Sequence, residues 1–147
     1  MAQVADIAAI VVAALAVGTA AGGAWVWWHA AGARWYWALW RVTQLSTTLL
    51  AAVALVALLS GFDPEDGLFW LYMLLPIAVS VIAEQLRIAS AQTILDQREL
   101  EDAQAVGRLP EDEQQLVVFA ILARETWITT LAGGVIAFLA LRVLVTG

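Results

Sequence analysis

Glu84 and Arg87 lie in the stretch VIAEQLRIAS, residues 81–90, at the end of an apolar run that begins at Leu68. A carboxylate and a guanidinium three residues apart share one face of a helix. Near hydrocarbon such a pair can hold a cation, carry a proton or do acid and base work, because charge there is costly and has to be matched. Two other segments bring the same residue types to the edge of an apolar run. Arg41 and Gln44 lead into Thr47 and Thr48, and Arg124 and Glu125 lead into Thr126 and Thr129, while Ser80 sits one turn before Glu84.

At ~1.5 Å per residue Glu84 falls about 24 Å along a helix from Leu68, close to the edge of a ~30 Å hydrocarbon core. Arg41 and Gln44 open their own apolar run, and Arg124 and Glu125 open another, so three helices should carry these groups to one depth. The predicted polar layer is Arg41, Gln44, Ser80, Glu84, Arg87, Arg124, Glu125 and Thr129. The plainer reading is an ion-pair network that fixes helix register. Its cost, roughly 2.5–3.5 kcal/mol per charge at a helix centre, falls toward the interface as long side chains snorkel. The sharper reading is one wall of a wet vestibule open to the cytoplasm, with Glu84 as the cation or proton site and Arg41 and Arg87 setting its charge state.

Other chemistries have less to work with. The chain has no cysteine, which removes disulfides, thiolate metal sites and Cys catalysis. Its one histidine, His29, lies beside Trp27 and Trp28 and reads as an interfacial residue; no HExxH, nucleophile elbow or phosphate loop occurs. The acidic turn Asp63, Glu65, Asp66 lacks EF-hand spacing and reads as solvated. No cofactor and no metal is predicted. Enzymatic acid and base work would have to rest on the two carboxylates near the arginines, and no motif points to it. With all seven basic residues being Arg and a formal net charge of -6, capture of nucleic acid is not expected.

The elements that would position the polar layer are membrane helices. Hydrophobic residues make up 63% of 147 and charged ones 14%, with a mean hydropathy of +0.83, which marks an integral membrane protein embedded in a lipid bilayer. Such a length allows about four crossings of ~20 residues. The sequence predicts an all-α four-span bundle as one domain, with approximate spans 7–28, 38–59, 68–88 and 126–145. MAQVADIAAI lacks the basic n-region of a secretory signal, so the first apolar run reads as the first span. Arg34 stands among Trp residues at 25, 27, 28, 35 and 37, an aromatic belt around the first connection. SGFDPEDG reads as an exposed turn. Pro76 removes one backbone donor from the third helix and is expected to kink it.

Helix-forming residues continue past the third span to Gly107, read as its stop, and Pro110 with Glu111, Asp112 and Glu113 opens the next helix. Residues 89–125 are thus expected to form a helical hairpin outside the membrane. Its inner edges are Ile88, Ala91, Leu95 and Val106 against Leu116, Phe119, Ile121 and Leu122; its acidic faces are solvated. Arg34, Arg41, Arg87, Arg98, Arg108 and Arg124 flank the first and third connections, against Arg142 alone on the other side. The bias toward basic residues inside puts the hairpin in the cytoplasm and both termini outside, in a cell inner (cytoplasmic) membrane. The Ala-rich, Lys-free composition suggests a bacterial genome of high GC content.

Gly18 and Gly22 form a GxxxG, and Gly133 and Gly134 a pair, which mark close helix packing within a protomer or between protomers. The functional expectation is an oligomeric channel or transporter subunit, a homo-oligomer because four thin helices cannot enclose a wide path alone. The alternative is a non-catalytic accessory or scaffold membrane protein whose hairpin docks a membrane or cytoplasmic protein partner.

Overall fold

The structure is a computed structural model that describes residues 2–29, 34–64, 66–101 and 103–146. Helix α1 spans Ala2–His29, α2 Arg34–Leu59, α3 Leu68–Gln97, α4 Ala103–Gly107 and α5 Glu111–Thr146, with no strand among the described residues. Four of these, α1, α2, α3 and α5, are long and apolar enough to cross a membrane. They pack as a ring in which each long helix packs mainly against two others, α1 against α5 most extensively and α2 against α3 most thinly.

The packing follows a rhythm in the sequence. Buried positions on α2 are Tyr36, Trp40, Thr43, Thr47, Leu50, Ala54 and Ala57, with Ser46 beside them, so the main row alternates steps of four and three. Helix α1 does the same through Ala5, Ala9, Val12, Ala16, Thr19, Gly23 and Val26. So does α3 through Phe69, Met73, Pro76, Ser80 and Ala83, and α5 through Thr126, Thr129, Gly133, Ile136, Ala140 and Val143. Steps averaging 3.5 residues keep one seam turned inward along a gently supercoiled bundle. Many seam residues are small or hydroxylated, which lets backbones approach, and hydroxyls such as those of Thr19, Thr43, Thr47, Thr126 and Thr129 find a carbonyl or a second hydroxyl. Thr19 Oγ1 and Thr43 Oγ1 lie 2.8 Å apart across α1 and α2.

The glycines divide by what a side chain would meet. At Gly133 an added Cβ would stand 3.1 Å from Ala16 O and 3.2 Å from Ala20 N, so α5 rests on the α1 backbone. A Cβ on Gly22 would stand 2.9 Å from the Trp35 ring, and Gly23 has no room beside Tyr36 and Thr130. Gly18 faces Leu39 at an ordinary 3.7 Å, and Gly134 meets nothing within 4 Å. The GxxxG therefore serves contacts inside the protomer, between α1 and α2.

Helix α2 begins at Arg34, before the expected span, so Trp35, Tyr36 and Trp37 belong to its first turns and not to the connection. Ala30–Ala33 of that connection, and Glu65 of the acidic turn, lie outside the described residues. Helix α3 runs through the buried Pro76 as one element. It does not continue to Gly107. It ends at Gln97, where Glu99 adopts φ 57°, Leu100 N–H donates to Leu95 O at 2.8 Å and Glu99 N–H to Asp96 O at 3.2 Å. This is a Schellman stop with Glu where glycine is usual. Leu100 packs on Ile94, Leu95 and Val117, and that contact offsets the left-handed backbone.

Of the expected hairpin edges, Leu95, Val106 and Ile121 lie in the interface, but the rest of it is rotated. Ile94, Leu95 and Val117 are buried, with Val106, Leu109, Ala120 and Ile121 against them. Ile88 is 66% exposed, Leu116 57%, Phe119 55% and Leu122 37%. The four-three rhythm of α3 carries its seam from Ala83 through Arg87 and Ser90 to Ile94, so Ile88 and Ala91 fall beside the contact line. Pro110 O accepts Gln114 N–H at 3.0 Å to start α5, and Gln114 Nε2 braces the preceding turn on Leu109 O at 2.8 Å. At the far end Asp66 N–H donates to Thr146 O at 3.3 Å.

Candidate functional site

One face of α2 presents Trp37, Trp40, Arg41 and Gln44, the i, i+3, i+4, i+7 spacing that aligns side chains along a helix. On α3, Ser80, Glu84 and Arg87 repeat that alignment and meet the α2 face. Glu84 is the centre. Its Oε1 accepts Arg41 Nη2 at 3.2 Å and Arg87 Nη1 at 3.0 Å. Its Oε2 accepts Gln44 Nε2 at 3.0 Å and Trp40 Nε1 at 3.3 Å. A carboxylate has about four acceptor positions, and these four donors use them all. Gln44 is held in turn, its Oε1 accepting Arg41 Nη1 at 2.8 Å.

Arg87 carries the knot to the rest of the bundle. Its guanidinium lies 4.5 Å over the Trp37 ring, and its Nε stands 3.9 Å from Glu125 Oε1 on α5. That separation is an ion pair without a hydrogen bond, and Arg87 Nε is buried with no hydrogen-bond partner. The Glu125 carboxylate, 18% exposed, is therefore the less satisfied of the two acids. Glu84, at 21%, is the fully engaged one.

Of the other predicted site residues, Arg124 stands apart while Thr129 and Ser80 stay beside the knot. Arg124 joins no ion pair among the described residues, and its Nε is buried without a partner. Neighbouring helical positions are ~100° apart, so when Glu125 faces α3 its neighbour cannot. Thr129 bonds to Glu125 O at 3.0 Å and its hydroxyl meets that of Tyr36, so it ties α5 to α2. Ser80 lines a cleft of about 330 Å³ between α2 and α3 together with Arg41, Gln44, Leu45, Thr48, Ile77 and Val81. Leu45 is 69% and Val81 55% exposed, so this cleft opens sideways, on the outer surface of the bundle.

Trp37, Trp40 and Tyr36 are the residues that sequence reasoning missed. Trp37 reads as a member of the aromatic belt and Tyr36 and Trp40 are given no role by the sequence, yet Trp40 and Tyr36 are fully buried. The signal was available in the spacing of Trp37 and Trp40 ahead of Arg41 and Gln44. His29 stacks on Trp25 at 4.5 Å and its Nδ1 lies 2.9 Å from Trp25 O, a contact local to α1. No group of three metal-ligating side chains assembles among the described residues.

No protein-family model, curated protein or solved structure matches the chain. The fold and site define a class: an all-helical protein of multi-pass membrane type, with four helices able to span a bilayer and a knot of four charges joining three of them.

Proposed function

We propose that the chain is a non-catalytic accessory or scaffold protein of the cytoplasmic membrane, whose helical hairpin docks a helix of a protein partner. Both termini lie outside and the hairpin inside, as the distribution of Arg implies. The observation that carries this reading is the bare face of α5. The Trp27 and Trp127 rings meet at a tilt, their centroids 5.8 Å apart, where α1 runs out, and α5 continues for about 24 Å beyond that level. There Leu116, Phe119 and Leu122 share one face and stay exposed. An exposed apolar stripe on one helix face is the kind of surface that an amphipathic partner helix covers.

A photoreactive residue placed at Phe119 in cells should yield a discrete adduct with one protein, lost on Leu116→Ser or Leu122→Ser at unchanged membrane abundance. Absence of any adduct from positions 116, 119 and 122 overturns the docking reading.

A second reading is a homo-oligomeric channel or transporter subunit, favoured by one specific observation. Glu125 has acceptor capacity to spare, with Arg87 as its one ion-pair partner among the described residues. In that case Glu125, and not the saturated Glu84, is the cation or proton site. Proteoliposome flux of H⁺, Na⁺ and K⁺ that falls at least tenfold with Glu125→Gln would carry this reading, and zero flux in the unmodified protein ends it.

A further inference from the structure

We propose that the cleft between α2 and α3 holds one acyl chain of an anionic glycerophospholipid, with its phosphate on Arg41. This rests on the membrane-spanning reading above. The cleft follows Arg41, Gln44, Leu45 and Thr48 down α2 and Val81, Ser80 and Ile77 down α3, about 10 Å along the helix axes. Below Arg41 and Gln44 its walls are Leu45, Ile77 and Val81, with the small Ser80 as its floor, 5% exposed. Within a bilayer an open apolar slot is filled by the nearest hydrocarbon, because nothing else present there wets it. A lipid chain is therefore the occupant, and the head of the slot decides which lipid.

That head is cationic. Arg41 is 58% exposed and spends one Nη1 donor on Gln44 and one Nη2 donor on Glu84. The remaining donors of its guanidinium fork are available to a phosphate, for which that fork is well shaped. Glu84 offers no competing acceptor, since Trp40, Gln44 and Arg87 fill its other positions. Trp35 lies six residues above Arg41, about 9 Å along α2, within reach of a snorkelling side chain that draws a headgroup down. A zwitterionic lipid brings its own cation to the same phosphate, so an anionic one gains more from Arg41.

The test is intact-complex mass spectrometry of the full chain in neutral detergent, with phosphatidylglycerol or phosphatidylcholine added. One phosphatidylglycerol per protomer should be retained, at least tenfold over phosphatidylcholine. Arg41→Gln should abolish the preference and Arg41→Lys keep part of it. Ser80→Leu, which fills the floor and leaves Arg41 in place, should abolish retention itself. Equal retention of both lipids, or retention unaltered by Arg41→Gln and Ser80→Leu, overturns the proposal. Alkaline carbonate washing of membranes separates the two levels of inference. A protein released by carbonate refutes the membrane reading and the cleft assignment with it, whereas one that stays embedded yet shows no lipid preference refutes the cleft assignment alone.

Discussion

Trp40 of α2 donates its indole N–H to Glu84 of α3 at 3.3 Å, and that bond occupies the last acceptor position of the carboxylate. An acid so completely engaged by Trp40, Gln44, Arg41 and Arg87 locks the register of α2 against α3. It has no lone pair left for a moving ion.

Removing Glu84 should accordingly cost far more than removing Arg41. Glu84→Ala leaves two guanidinium groups, an amide N–H and an indole N–H without this acceptor in a half-buried layer, which should cost about 2–3 kcal/mol. Arg41 is mostly exposed, so Arg41→Gln should cost under about 1 kcal/mol. Thermal unfolding in detergent checks both values; comparable losses would show that the register lock is wrongly placed.

Glu99 holds a left-handed backbone at the end of α3. Glu99→Gly removes that strain and should stabilise the hairpin by about 1 kcal/mol. Leu100→Ala should do the reverse, because it strips the contact with Leu95 that closes the stop. Hydrogen exchange across residues 94–109 reports both, and faster exchange in Glu99→Gly would contradict the stop described above.

Neighbouring glycines on α5 should behave oppositely. Gly133→Ala pushes a methyl into the backbone of α1 and should cost about 1–3 kcal/mol. Gly134→Ala enters open space and should be neutral or stabilise by up to about 1 kcal/mol through helix propensity. If melting temperatures show the two to be equivalent, α5 does not rest on α1 through Gly133.

Tyr36 and Thr129 join α2 to α5 through their hydroxyls in the dry part of the bundle. Tyr36→Phe and Thr129→Val should each cost about 1 kcal/mol, and the double change should cost less than their sum. Strict additivity in the double-mutant cycle would mean that the two hydroxyls do not bond.

The amino-acid sequence determined the number of long apolar helices, the placement of the turns near SGFDPEDG and RLPEDEQQ, and the gathering of Arg41, Gln44, Glu84, Arg87 and Glu125 near one depth. Those follow from hydropathy and helix rise, which are local properties. Rotation about each helix axis was decided only by the tertiary structure. In a chain of this kind the outward faces are as apolar as the inward ones: Leu45, Leu55 and Leu58 point out while Thr43, Thr47 and Ala54 point in. Hydrophobicity therefore cannot distinguish the seam from the surface, and the four-three spacing of small and hydroxylated residues carries that information instead. The same rotation removed Arg124 from the layer, brought Trp37 and Trp40 into it, and turned Phe119 outward. It also filled every acceptor position of Glu84, which no count of depth along a single helix can reveal.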